Sequence, residues 1–380
     1  MSATHSPQQL GEQHPRPACR CVIKLGGAAI TDKSRLETLR PDTLASVAAT
    51  VAALHRNGGG AVVVHGAGSF GHMTAKQFSV ARGGAPGAPR EQTLLGFALT
   101  RASVTKLNST VCAALAAAGA PAAGASPCGG GWATHGGRLG GDGCAAGLGV
   151  VAGLLQAGLV PVLHGDAVLD SELGCTILSG DTIVRAVAEA FLAPRGTGCS
   201  SSGGGGWPEQ RGAGATERIA GNEQGLVLAD GGAGSAAHEA GPVEPAAGGH
   251  VVFLTNVAGI YDRPPEQPGA ALLPEILVSP DGSWRAAADP GDDADVSGSS
   301  AAGRRRPQFA CAAHDVTGGV ETKVLEAAAI AALGVDVIIA EAGSAAGEAA
   351  CLLGPAAFSR YAGGGQGPRF AGTLVRLEGS

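Results

Sequence analysis

Val62-Val63-Val64-His65-Gly66-Ala67-Gly68-Ser69-Phe70-Gly71-His72 decides how this chain is read. Ala61 to Val64 is an apolar, largely β-branched run, the pattern of a strand covered on both faces. It leads into a turn with glycines at 66, 68 and 71, which can take positive φ and let backbone N–H groups approach an anion with no Cβ in the way. His72 adds a donor whose charge can change near neutral pH. A plain tight turn would use glycine too, so the stretch points to phosphate handling only in the company of other motifs.

An earlier segment has the same design. Cys21-Val22-Ile23-Lys24-Leu25 reads as a strand, followed at once by Gly26-Gly27 and then Ala28-Ala29-Ile30-Thr31-Asp32-Lys33. Lys24 sits inside an apolar strand, where an unpaired charge is costly, so a partner anion is expected. Lys33 could equally be an ordinary surface lysine. Two ammonium groups bracketing a glycine turn suit the spread charge of a transferring phosphoryl group. No GxxxxGK[ST] loop is present. Between the two strands, Arg40-Pro41 to Arg56 carries Leu44, Val47, Val51 and Leu54 at helical spacing. The resulting βαβ unit puts both glycine turns at the C-terminal edge of a parallel sheet, where ligands bind.

Further motifs follow along the chain. A helical pattern runs from Leu94 to Ala118, and an irregular segment from Ser126 to Trp132, where Trp132 could be a lid, a pocket wall or a surface anchor. A helix from Val150 to Ala157 precedes the strand Leu159 to Leu163, which ends in His164-Gly165-Asp166. After a hairpin-like stretch, Ala167 to Cys175, Ser179 or Asp181 can cap a helix from Thr182 to Leu192; a helix start at a sheet edge is also where a nucleotide phosphate can sit. Val251 to Thr255 is a buried strand. Gly318-Gly319, with Lys323 one turn into the next helix, repeats the cradle pattern. Val335 to Ala340 reads as a buried strand and Gly372 to Leu377 as an edge strand.

Composition removes several function classes. The chain has 380 residues and a net charge of −6, and its one basic run, Arg304-Arg305-Arg306, lies in a Gly/Ser-rich loop context, so nucleic acid is not an expected partner. Nine dispersed cysteines without a CxxC pair suit reduced thiols and a cytoplasmic protein. No apolar run is long enough to span a membrane. Residues 1–18 read as a disordered tail with three prolines and no apolar signal core. Residues 19–380 read as one domain, interrupted by low-complexity insertions at about 194–249 and 281–313.

Taken together, Lys24 to Thr31, His65 to His72, Pro161 to Asp166, Ile177 to Asp181, Leu254 to Tyr261 and Asp315 to Lys323 resemble, in order, the amino acid kinase superfamily. Within it they resemble the isopentenyl phosphate kinases, and Thr100 to Asn108 with Ser126 to Trp132 resemble the eukaryotic branch. The resemblance implies an α/β fold, an open three-layer αβα sandwich on a mainly parallel sheet, usually a homodimer. It implies ATP, Mg²⁺ and a small phosphate acceptor, isopentenyl phosphate, with dimethylallyl phosphate as a second candidate. It places Lys24, Gly26, Gly27, Gly68, Asp181, Gly318 and Lys323 around ATP, and Ala67, His72 and Gly165 around the acceptor phosphate. Lys33, His72 and Lys24 would be catalytic; no metal ligand is assigned. Ala28 stands where many relatives have Ser, and Asn256 and Ala258 where many have Asp. A kinase for another phosphate or phosphonate such as fosfomycin, or a catalytically silent nucleotide-binding regulator, remains open at this point.

Overall fold

A computed structural model describes residues 19–194, 248–287, 319–362 and 370–379. The tail, most of both predicted insertions and Gly318 lie outside the described residues. The strands are β1 (Cys21–Leu25), β2 (Ala61–His65), β3 (Ala122–Gly124), β4 (Ala133–Thr134), β5 (Val160–His164), β6 (Asp166–Asp170), β7 (Gly174–Leu178), β8 (His250–Thr255), β9 (Glu275–Val278), β10 (Trp284–Ala286), β11 (Val337–Glu341) and β12 (Gly372–Leu377). The helices are α1 (Gly27–Ile30), α2 (Pro41–Arg56), α3 (Gly68–Gln77), α4 (Arg90–Ala117), α5 (Ala145–Gln156), α6 (Gly180–Phe191), α7 (Gly319–Ala331), α8 (Ala345–Leu353) and α9 (Pro355–Ala362).

Among the described residues, nine strands form a sheet in the order β10-β9-β12-β11-β8-β1-β2-β5-β3. Only the β10–β9 and β11–β12 pairs are antiparallel. A small second sheet, β4-β6-β7, extends from the end of β5. Both faces of the main sheet are covered. Val22, Val62, Val64 and Val251 pack with Val151 of α5, Ile183 of α6 and Val324 of α7. Cys21, Ile23, Ala61 and Val63 pack with Val47 of α2, Leu107 of α4 and Ala350 of α8. Because side chains alternate along a strand, Lys24 falls on the same face as Val22, the side of α6 and α7.

Local sequence explains the helices that carry this arrangement. Pro41 opens α2 with its φ already fixed, and Asp42 in the first turn complements the helix dipole. Ser179 caps α6, its hydroxyl accepting from the Thr182 N–H at 3.1 Å. The cap is therefore Ser179, which leaves the Asp181 carboxylate for another partner.

Several expectations change. The Gly372–Leu377 strand is not at an edge: β12 lies between β9 and β11, parallel to one and antiparallel to the other. Helices α8 and α9 follow the strand that was read as the last before the edge strand. Trp132 is 2% exposed, packed into the core where Gly147 leaves room for its indole, so it is neither lid nor surface anchor. The stretch from Gly66 to Gly71 is mostly helix rather than turn: α3 begins at Gly68, which alone of the three glycines has positive φ, +51°. β10 occupies the beginning of the second predicted insertion.

Candidate active site

Parallel register brings the strand ends level. Leu25 is opposite both His65 and Leu254, and His65 is opposite His164. The next residues are stitched crosswise: Gly26 N–H donates to Leu254 O at 2.8 Å, Gly66 N–H to Leu25 O at 2.9 Å, and Gly165 N–H to His65 O at 3.0 Å. The two glycine turns therefore touch backbone to backbone. A Cβ on Gly27 would sit 2.5 Å from the Gly68 nitrogen, and one on Gly66 would sit 2.8 Å from the Gly27 nitrogen. Side chains are excluded here by contact, not only by conformation.

Thr31 locks the two turns together. Its hydroxyl donates to Gly27 O at 2.7 Å and accepts from the Ser69 N–H at 3.0 Å. A third turn closes in at Gly165, whose absent Cβ would lie 3.3 Å from the Gly180 nitrogen and 3.9 Å from the Ala67 nitrogen. Gly27, Gly68, Ala67, Gly165 and the start of α6 thus converge at one place on the sheet edge. Backbone amides and the N-terminal ends of α3 and α6 there favour negative charge.

Charged side chains surround this junction. Lys24 ion-pairs with Asp181 in the first turn of α6 and lies over the Phe253 ring, 5.3 Å from its centroid. The pair is mostly buried. On α7, Glu326 sits close enough to Lys24 and Asp181 to feel both charges; burial above all pushes its carboxyl up, with Arg185 and Lys24 opposing. Lys323 is three residues earlier on α7 and half-buried. His72 lies one turn into α3, half-buried, and Lys33 is exposed on the turn after α1. The structure therefore brings Lys24, Asp181, Gly26, Gly27, Ala67, Gly68 and Gly165 together; Gly318 lies outside the described residues.

Other residues at the edge fall within the motifs of the sequence without a role being assigned to them there. His65 and His164 stack at 5.5 Å between centroids, and Asn108 of α4 donates to His65 Nε2 at 3.1 Å. Burial lowers the pKa of both rings, that of His65 to about 3. Asp166, fully buried, accepts from Ser126 Oγ at 3.0 Å and from Cys128 N at 3.2 Å, with Arg101 Nε 3.4 Å away. This roots the Ser126 to Trp132 segment beside Gly165. Arg101 also lines a cavity of about 460 Å³ along α4 with Phe97, Ala98, Ala102 and Thr105. Pairwise spacing along a sequence does not reveal such contacts, because they join elements far apart in the chain.

The glycine turns, the converging helix starts and the lysine at the end of a parallel strand define a phosphotransferase of the amino acid kinase class. The model of the amino acid kinase family matches residues 20–200. An isopentenyl phosphate kinase of Arabidopsis thaliana is 35% identical over 85% of this chain and 87% of its own length. One of Methanothermobacter thermautotrophicus is 36% identical over 43% of this chain and 60% of its own. A solved isopentenyl phosphate kinase shares the fold with a TM-score of 0.56 at 24% identity, covering 88% of this chain and 97% of the other. The chain belongs to the isopentenyl phosphate kinase family.

Proposed function

We propose that this chain transfers the γ-phosphoryl group of ATP to isopentenyl phosphate, giving isopentenyl diphosphate. The observation that carries the reading is the backbone junction of Gly27, Gly68 and Gly165 beside Lys24 and Asp181, in a chain so similar to the Arabidopsis thaliana isopentenyl phosphate kinase. On this reading Lys24, Gly26, Gly27, Gly68, Asp181, Gly318 and Lys323 hold ATP, while Ala67, His72 and Gly165 hold the acceptor phosphate.

The acceptor is already ionised near neutral pH, since the second pKa of a phosphate monoester is about 6. A strong general base is therefore unnecessary, and the residues have two tasks: to align two anions and to offset their repulsion. Lys24 and Lys33 supply positive charge at the transferring group and Lys323 at the nucleotide. His72 donates a hydrogen bond to the acceptor phosphate. Asp181 holds Lys24 in place without cancelling the positive field of the amides around it.

Mg²⁺ fits this site in one mode only. Among the described residues no group of three or more His, Cys, Asp or Glu side chains could enclose a metal ion. Asp181 is a carboxylate at the junction, and one or two carboxylates plus substrate phosphates is the usual way Mg²⁺ is bound. The bound ion would neutralise phosphate charge. A homodimer and a cytoplasmic location complete the proposal; the latter draws on the seven free cysteines among the described residues.

The test is ATP consumption with Mg²⁺ by the purified protein, comparing isopentenyl phosphate, dimethylallyl phosphate and fosfomycin. Strong preference for isopentenyl phosphate is expected. Preference for fosfomycin would reassign the acceptor, and ATP binding without turnover on any of the three would sink the kinase activity.

A further inference from the structure

Lys33 stands on a turn between Thr31 and Leu39, which form an isolated antiparallel bridge. Asp32 N–H donates to Thr38 O at 2.9 Å and Arg40 N–H to Ile30 O at 2.8 Å, so the base of the turn is closed. Ser69, the residue after Gly68, fastens one side: its hydroxyl accepts from the Thr38 N–H at 3.2 Å and its carbonyl from the Glu37 N–H at 3.3 Å. The other side is fastened by a side chain. Glu37 accepts from Ser103 Oγ at 2.5 Å and from Lys106 Nζ at 2.6 Å, one carboxylate oxygen each. Ser103 and Lys106 are three apart on α4, so one face of that helix presents both donors.

Two features separate this contact from an ordinary surface ion pair. Glu37 has a φ of 49°, a conformation that glycine takes far more easily, yet it is the carboxylate, which glycine lacks, that reaches α4. The contact also closes a ring. Helix α4 packs on α3 beside Gly71, with Val104 Cβ 3.7 Å and Thr100 Cγ2 3.8 Å from the position a Cβ would take there. The next residue on α3 is His72. Glu37 therefore ties the Lys33 turn to the same α4 surface that seats the His72 helix. Hydrogen bonding to Lys106 first, then to Ser103, holds its carboxyl below the usual carboxylate range, so the clamp is charged at neutral pH.

We propose that Glu37 is the positioning residue for Lys33: by bonding Ser103 and Lys106 it fixes the Lys33 turn relative to His72, setting the lysine's place at the transferring phosphoryl group. The proposal rests on the phosphoryl-transfer reading above and on Lys33 acting in it. Misplacement by an ångström is enough to slow a reaction about 10²-fold, and a lysine on an unclamped turn would lose that much alignment. The loss should fall on kcat, because the junction that binds ATP and the acceptor does not include Glu37.

The experiment compares Glu37→Gly, Glu37→Gln, Lys33→Ala and Glu37→Gly/Lys33→Ala, with steady-state kinetics for ATP and isopentenyl phosphate and a thermal melt of each. Glycine relieves the backbone at positive φ, so the fold should persist. Expected for Glu37→Gly is a fall in kcat of about 10- to 100-fold with either KM changed by no more than about 3-fold. Glutamine, which still accepts from Ser103, should restore most of the rate. In the Lys33→Ala background Glu37→Gly should cost nothing further, since both changes remove one function. Normal kcat in Glu37→Gly, or losses that multiply with those of Lys33→Ala, would overturn the positioning role while leaving the kinase reading intact. Normal kcat in Lys33→Ala would instead remove Lys33 from the mechanism, and the proposal with it.

Discussion

Lys24 of β1 and Asp181 of α6 pair across the interface between the sheet and the helix that begins at the active-site edge. The strand places the lysine on the α6 face, and Ser179 takes over capping, so the aspartate is available. Breaking such a mostly buried pair from one side strands a charge. Asp181→Ala should cost about 2–3 kcal/mol of stability, whereas Lys24→Met/Asp181→Leu should cost much less because no buried charge is left. Activity should not follow stability. Both variants are expected to lose about 10²-fold in kcat/KM for ATP, measured beside urea unfolding.

Gly27 and Gly153 make a matched pair of tests. Gly27→Ala would drive a methyl group into the Gly68 backbone, which cannot yield without opening the junction. A loss of about 3 kcal/mol and of most turnover is expected. Gly153 lies exposed within α5 with open space around its missing Cβ and no positive φ. There alanine should stabilise the protein by about 0.5–1 kcal/mol, read as a rise in the urea midpoint, with kinetics unchanged.

His72→Ala should leave the fold and ATP affinity near normal and reduce kcat by about 10²-fold or more, the typical cost of losing one positioned donor to a developing charge. His72→Gln, which keeps a donor, should recover part of the loss. Isothermal titration with ATP separates the two effects. Full turnover in the alanine variant would dismiss the histidine from the mechanism.

The buried imidazoles should make the fold lose stability in mild acid. His65 and His250 have pKa values lowered by burial to about 3 and about 4, against an ordinary 6.5. His164 faces His65 and repels its charged form, while the Gly66 carbonyl favours it; Ala350 O does the same for His250, with Arg20 opposing. The unfolded chain therefore binds more protons below pH 6.5. Stability is complete above that pH and drains as pH falls towards 4, at up to about 1.4 kcal/mol per pH unit for each histidine. Urea titrations between pH 7 and 5 should show the slope, and His65→Asn should reduce it while His250 keeps its share. An unchanged slope would place the acid sensitivity elsewhere.

Much of this was legible in the sequence because the relevant signals are local. The apolar runs of β1 and β2, the glycines that follow them and the Pro41 start of α2 specify the first βαβ unit and the edge where its turns meet. Lys24 announced a partner by its apolar surroundings, and Asp181 supplied it. What stayed hidden depends on distant packing. Gly66 and Gly71 looked like turn residues, yet neither has a positive φ: a Cβ on Gly66 would meet the Gly27 nitrogen at 2.8 Å, and one on Gly71 the Ala67 Cβ at 2.9 Å. Trp132 could be read as a lid, a pocket wall or a surface anchor, and its burial against Gly147 comes from packing between distant segments. Helices α8 and α9 and the interior place of β12 follow from sheet order, which no short motif encodes.

That interior place of β12 has a consequence for how the protein comes into being. Among the described residues β9 pairs with β12 and β10 and has no ladder to β11, so the β9–β10 hairpin joins the rest of the sheet through β12. Thr373 reinforces the joint, donating to Leu273 O at 2.7 Å across a separation of 100 residues and accepting from the Ile260 N–H at 2.8 Å. On a ribosome making the chain from its N-terminus, the hairpin emerges long before the strand that will receive it. Closing so long a loop is slow, and the edge of β11 waits unpaired in the meantime. The half of the sheet bearing the glycine junction can assemble early; the far half is a late arrival, and the interval between them is when a nascent chain would most need protection from its neighbours.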